Sequence, residues 1–180
     1  REDRYGGSRQ VDRIAAAVDR LSVPVIGNGD IIDIPSAKAM LEETGCAGLM
    51  VGRGAIRNPW LPLQLQRWLA GAPIETVTST ERKEILLRYF TSIYNAFDGH
   101  ERGTVGRMKM LSKHFTLDLP HGKSFQRYLL HSQSRGEMLD WVDQYFGRLD
   151  KWEAGDAEAF ANSPFLTIPE RIKKATARAH

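Results

Sequence analysis

The sequence predicts an α/β segment followed by an all-α segment, and three observations carry that division. Two short apolar runs, Val23-Pro24-Val25-Ile26 and Leu49-Met50-Val51, each end in a glycine-bearing turn, with a compact helical pattern between them. Strand, helix and strand within about thirty residues make a βαβ unit, which is parallel and right-handed. After Ala72–Ser79, a linker by composition, strand signals stop and longer apolar patterns of helical period take over.

Taken in order, Arg1–Gly7 is polar and turn-like. Val11, Ile14, Ala15, Val18 and Leu21 recur at helical spacing, so Ser8–Leu21 is read as a helix with Ser8 at its N-cap. Val23–Ile26 is a continuous apolar run, which suggests a strand covered on both faces. Pro24 stands near its start, where a missing N–H is tolerated. Asp33 or Ser36 caps a helix reaching about Thr44, with Pro35 in its first turn and Ala37, Met40 and Leu41 inward. Gly45 supplies a left-handed stop. After Leu49–Val51, Asn58 is read as the cap of a further helix with Pro59 at its first position, and Gly71 ends it.

In the helical part, Thr78-x-x-Glu81 is a capping-box pattern. Ile85, Tyr89, Ile93, Tyr94 and Phe97 follow at helical spacing to Gly99. Glu101–Leu117 is a second helix with Val105, Met108, Leu111 and Phe115 inward, broken by Leu119-Pro120. Ser124–Leu130 is a shorter one. Ser134-x-x-Glu137 opens a third long helix, with Met138, Trp141, Val142, Tyr145, Phe146 and Leu149 inward. From Lys151 the tail is mixed, with Pro164 and Pro169 as breakers and a basic stretch Arg171–Arg178.

Composition sets bounds. With 180 residues and 42% apolar content the chain can bury a core. It has no apolar run long enough for a bilayer span, and the charged opening Arg1-Glu2-Asp3-Arg4 does not read as a secretory signal. Opening on Arg rather than Met, it reads as a piece of a longer protein. A single cysteine, Cys46, excludes an internal disulfide and fits a reducing compartment. The net charge is +3, but His100–Arg135 holds seven cations against Glu101 and Asp118, a local +5, with four histidines besides. Such a patch suits a polyanion, or is simply a solvated helix face.

The turns could carry chemistry. Asn28-Gly29-Asp30 and Gly52-Arg53-Gly54 follow consecutive strands. Backbone N–H groups, a helix start and a guanidinium make an anion site. In β/α barrels the phosphate site is built by the loops after the seventh and eighth strands. These two therefore look like the last two strands of a barrel; the alternative is that the glycines only make tight turns. Asp30 is a hydrogen-bond acceptor or a catalytic carboxylate, the former favoured because no partner acid or base stands nearby. Cys46 precedes its strand, roughly 15 Å from the active end at about 3.3 Å per residue, and reads as a buried thiol. The histidines show no metal-ligand spacing.

These residues resemble the tRNA-dihydrouridine synthases. Val23-Pro24-Val25-Ile26-Gly27-Asn28-Gly29-Asp30-Ile31, Thr44-Gly45-Cys46, Met50-Val51-Gly52-Arg53-Gly54-Ala55 and Asn58-Pro59-Trp60 match that family's IPVIGNGDI…TG…MIGRGA…NPW pattern. Arg1-Glu2-x-x-Tyr5-x-Gly7 is similar to the continuation of its H-x-R-T-R segment. Arg107-Met108-Lys109 and Lys113-His114-Phe115 are similar to its R…(R/K)-K-H-(L/V/F) helix, with Ser112 where arginine is usual. The resemblance is strong to Trp60, looser to Phe146, and absent from Lys151 on.

The resemblance implies residues 1–71 as the end of a (β/α)8 TIM barrel that binds FMN. It implies residues 72–79 as a linker, 80–150 as a C-terminal helical bundle that binds tRNA, and 151–180 as a tail outside the match. It implies NADPH as the reductant of the flavin, and hydride transfer to the C5=C6 bond of a uridine flipped out of tRNA. Asn28, Gly29, Asp30, Gly52 and Arg53 match the FMN contacts, the last two at the phosphate. Arg107, Lys109, Lys113 and His114 would face tRNA. No metal and no membrane are implied, the compartment is the cytoplasm, and the full-length enzyme is a monomer. The family's catalytic cysteine, flavin-facing lysine and histidine lie on earlier strands and match no position here. The expectation is therefore that this polypeptide alone is inactive and that its two strands expose apolar faces and unpaired edges. The rival readings are a non-catalytic tRNA-binding module and another phosphate-binding flavin barrel; the basic helix argues against the second.

Overall fold

A computed structural model of the chain describes residues 11–98 and 100–166. The expectations for Arg1–Gly7, Ser8, Gly99, Pro169 and Arg171–Arg178 lie outside those residues. The chain divides into two compact units between Glu75 and Thr76.

The first unit runs α1 (Val11–Arg20), β1 (Ile26–Asn28), α2 (Ile34–Thr44), β2 (Gly48–Met50), α3 (Arg53–Arg57) and α4 (Leu61–Leu69). The strands are parallel, with Ile26 opposite Gly48, Gly27 opposite Leu49 and Asn28 opposite Met50. The first pairing starts later than the apolar run suggests. Val23 is exposed, and the first cross-strand bond is Ala47 N–H to the Val25 carbonyl at 2.9 Å, just past Pro24. Gly27 therefore lies inside the strand rather than in the turn. A Cβ there would stand 2.6 Å from Cys46 Sγ and 3.1 Å from Met40 Cγ, so glycine lets β1 press onto α2. Only that face is covered. Ile26 and Met50 are 56% and 53% exposed on the other, so the strand is not covered on both faces as its apolar run suggests, and the pair exposes an apolar face as expected of two barrel strands alone.

Helix α2 matches its local signals. Asp33 accepts from Ser36 N–H at 2.8 Å, while Ser36 Oγ accepts from Asp33 N–H at 3.1 Å. Gly45 takes φ 64° and its N–H reaches the Leu41 carbonyl at 2.9 Å. Ala37 and Met40 are buried. The Ser36 hydroxyl and N–H hold the Asp33 carboxyl below its ordinary value. The folded state thus favours the ionised form. Its contribution is present above the ordinary carboxylate range and is lost as pH falls through the lowered value. Asp33→Ala is expected to cost about 1 kcal/mol at neutral pH and progressively less as the pH is lowered into the acid range; urea unfolding followed as a function of pH checks this.

The start of α4 corrects the sequence reading. Asn58 is extended and its N–H closes α3 on the Gly54 carbonyl at 2.8 Å, so it ends one helix instead of opening the next. Helix α4 begins at Leu61 with Pro62 in its first turn. The Asn58 side chain still steers that start, accepting from Trp60 N–H at 3.2 Å and donating to Gln64 Oε1 at 2.7 Å. The inward residues are Leu61 and Leu65, whereas Leu63 is exposed.

The second unit holds α5 (Ser79–Ala96), α6 (Glu101–Phe115), α7 (Gly122–His131), α8 (Arg135–Glu153) and a 3-10 turn, Pro164–Leu166. Thr78 and Glu81 form the expected reciprocal cap, and Ser134 Oγ accepts from Glu137 N–H. Ser79 also donates its N–H to Glu153 at 3.0 Å and its hydroxyl to Asp150, tying the start of α5 to the end of α8. Leu86 and Phe90 are the fully buried residues of α5, with Ile85 and Tyr89 half-buried beside them. The centre is aromatic: Phe125 stacks on Tyr145 with ring centroids 4.0 Å apart. Burial raises the Tyr145 phenol above its ordinary pKa, so it stays neutral and donates to the Pro120 carbonyl at 2.6 Å.

Residues 152–166 contribute to this core, which the sequence alone did not indicate. Helix α8 continues to Glu153, and Ala159, Phe160 and Phe165 are buried. Phe165 stands edge-on to Phe125, Tyr128 and Tyr145, with centroids 5.3–5.8 Å away. Tyr128 OH donates to the Pro164 carbonyl at 2.8 Å, and Arg148 Nη1 to the Ala159 carbonyl at 3.1 Å.

Candidate functional site

In the first unit, the parallel register brings the two strand-end turns side by side. Gly29 takes φ 137° and Asp30 φ 45°, and the chain bends just after Asn28. Asn28 Nδ2 lies 3.8 Å from Met50 Sδ across the strand pair. Arg53 Nη2 donates to Asp30 Oδ1 at 2.7 Å, joining the turns through an ion pair whose side chains are about half exposed. Such a pair adds on the order of 0–1 kcal/mol to stability. Its larger consequence is to orient the guanidinium, which has five N–H donors in a planar fork. A Cβ at Gly54 would stand 2.1 Å from the Ile31 carbonyl oxygen, so glycine lets the start of α3 sit against the turn after β1. A Cβ at Gly52 would meet nothing within 4 Å, leaving that stretch of backbone open to approach.

The structure thus brings Asn28, Asp30, Gly52 and Arg53 to one end of the strand pair. Within the chain, the Asp30 carboxylate accepts from Arg53. Cys46 is at the opposite end of β2, 6% exposed beneath Gly27.

In the second unit, Arg107, Lys109, Lys113 and His114 all lie on the outer side of α6, exposed or half-buried. At 3.6 residues per turn they form two edges. Lys109 and Lys113 share one, and Arg107 and His114 the other, about 130° round the axis at roughly 100° per residue. Arg107 also stands over the Phe97 ring at 5.8 Å. Two members of the basic stretch have structural roles. Arg135 stacks on Tyr94 at 4.6 Å and its N–H meets Glu101 at 2.6 Å; His100 caps α6, accepting from Gly103 N–H at 3.2 Å. Lys123 and Arg127 on α7 remain exposed. Sequence reasoning passed over Gly106 and Met110, which lie between the two edges. The only signal for them was an apolar residue and a glycine at polar positions of the helical repeat.

Among the described residues there is no group of three or more His, Cys, Asp or Glu side chains able to hold a metal ion. No helix among them is long and apolar enough to cross a membrane.

The chain is similar to tRNA-dihydrouridine synthase B of Shewanella oneidensis, at 29% identity over 152 residues, 83% of this chain and 46% of that protein. It is 31% identical over 148 residues to a probable tRNA-dihydrouridine synthase of Mycobacterium tuberculosis, covering 82% of this chain and 37% of the relative. To tRNA-dihydrouridine synthase B of Escherichia coli it is 30% identical over 143 residues, 79% of this chain and 44% of that protein. It therefore spans less than half the length of these relatives. The family model for dihydrouridine synthase matches residues 1–149, through both strand-end turns and the whole of α6, and the chain belongs to that family.

Proposed function

We propose that this chain carries one wall of an FMN site and the tRNA-binding part of an enzyme that reduces uridine to 5,6-dihydrouridine in tRNA with NADPH. The observation that carries this reading is the Asp30–Arg53 pair at the ends of adjacent parallel strands, beside the open backbone at Gly52. Those donors suit a phosphate monoester. Asn28, Gly29, Asp30, Gly52 and Arg53 would hold the FMN, with Gly52 and Arg53 at its phosphate. When bound, FMN supplies the hydride for the C5=C6 bond. Arg53 contributes charge-assisted donors, Asp30 fixes their direction, and the positive φ at Gly29 lets the backbone come close. The exposed face of Ile26 and Met50 fits the inner wall of a (β/α)8 barrel whose other strands lie elsewhere.

On this reading residues 1–71 end the barrel, 72–79 link, and 80–150 form the tRNA-binding domain, with 151–166 completing its core. Arg107, Lys109, Lys113 and His114 meet the RNA backbone. The compartment is the cytoplasm and the full-length enzyme is a monomer. This polypeptide by itself makes no dihydrouridine, because its one cysteine, Cys46, is packed under Gly27 and away from the proposed flavin.

Titration with FMN, riboflavin and tRNA tests the proposal. FMN is expected to bind more tightly than riboflavin, which lacks the phosphate. Arg53→Ala should remove that difference at a loss of about 1.5–3 kcal/mol, roughly 10–100-fold in Kd. Equal affinity for the two flavins would remove Arg53 from the phosphate. A second reading, a non-catalytic tRNA-binding module, is favoured by the separate aromatic core of the helical unit; tRNA binding with no flavin binding selects it.

A further inference from the structure

The most unusual residue on the outer face of α6 is a glycine. Gly106 sits mid-helix, is exposed, and a Cβ there would meet nothing within 4 Å. A glycine in a helix interior is unfavourable relative to alanine, and here no packing requires it. Gly54 and Gly122 differ, since a Cβ at each would run into a backbone oxygen at 2.1 Å and 1.9 Å.

The surroundings of Gly106 are cationic. Gly106 and Met110, four residues apart, form the centre of the face, with Arg102 one turn before Gly106, and Met110 is 57% exposed. Lys109 and Lys113 flank this row on one side, Arg107 and His114 on the other. Arg102, Lys109 and Lys113 make no ion pair among the described residues. The centre of the face is thus flat and weakly polar, between two charged edges. A-form RNA presents a complementary surface: a wide, shallow minor groove lined by ribose hydroxyls, with phosphates along both rims.

We infer that Gly106 is the point of closest approach between α6 and the RNA, where the missing side chain lets ribose edges reach the helix backbone and Met110 while the cationic edges meet the phosphates. This rests on the proposal that α6 binds tRNA and names the contact within it.

Helix α8 supplies an internal control. Gly147 is also mid-helix, exposed and without a neighbour within 4 Å of a Cβ, but the residues one turn away are Asp143, Asp150 and Lys151. The test compares the full 180-residue chain with its Gly106→Leu and Gly147→Leu variants. Affinity for unfractionated tRNA is read by fluorescence anisotropy at low salt, and folding by thermal denaturation. Leucine is the better helix former, so neither variant should melt below the unmodified chain. Gly106→Leu is expected to raise the Kd tenfold or more, and Gly147→Leu to leave it within twofold. If Gly106→Leu binds as well as the unmodified chain, or Gly147→Leu loses as much, the contact is overturned while tRNA binding stands. If the unmodified chain binds no tRNA, the parent proposal falls, and this contact with it.

Discussion

Replacing Phe165 with alanine is expected to destabilise the helical unit by about 3–5 kcal/mol, the usual cost of deleting a fully buried phenylalanine. Phe165 is wholly buried and stands edge-on to Phe125, Tyr128 and Tyr145, so its loss opens a cavity in the centre of the unit. For a unit of this size a loss of 1 kcal/mol lowers the melting temperature by roughly 4–8 °C, so the shift should exceed 10 °C. Near-ultraviolet circular dichroism during heating reports it, because Trp141 and Tyr128 pack beside the deleted ring. Trp152→Ala, at a half-exposed position, should change stability by less than about 0.5 kcal/mol. An unchanged melting curve for the Phe165 variant would mean that residues beyond the family match do not close this core. The expected result makes the segment after α8 part of the fold, although the family match ends at residue 149.

Gly54→Ala is expected to cost about 3 kcal/mol in the α/β unit, at the upper end of overpacking penalties. The added carbon would stand 2.1 Å from the Ile31 carbonyl oxygen and 3.1 Å from Leu61 Cδ2. A backbone oxygen cannot swing aside as a side-chain tip does, so the turn after β1 and the start of α3 must part. That separation would also pull Arg53 from Asp30. The variant should therefore lose stability in urea and FMN affinity together, whereas Arg53→Ala should lose mainly affinity, its ion pair being half exposed. A Gly54→Ala chain as stable as the original would show that the two turns are not braced against each other.

What the sequence determined was mostly local. The Asp33–Ser36, Thr78–Glu81 and Ser134–Glu137 caps and the left-handed Gly45 were legible because each depends on partners within four residues. The inward stripe of α8 was legible because a nineteen-residue amphipathic pattern leaves little choice of face. The family was legible in the turn residues, whose identity depends on what the backbone must do.

Tertiary structure decided whatever depends on residues far apart in the chain. The pairing of β1 starts past Pro24 because Ala47 meets Val25. Gly27 and Gly54 are glycines because Cys46 and the Ile31 carbonyl press on them, a reason no local pattern displays. Asp30 and Arg53 are twenty-three residues apart, and only the parallel register sets them 2.7 Å from each other. Phe160 and Phe165 lie in a segment without helical period, so their burial became visible only once α7 and α8 stood around them. The candidate residues could thus be named in advance, but whether they meet was settled by the contacts that assemble the two strand ends and close the aromatic core.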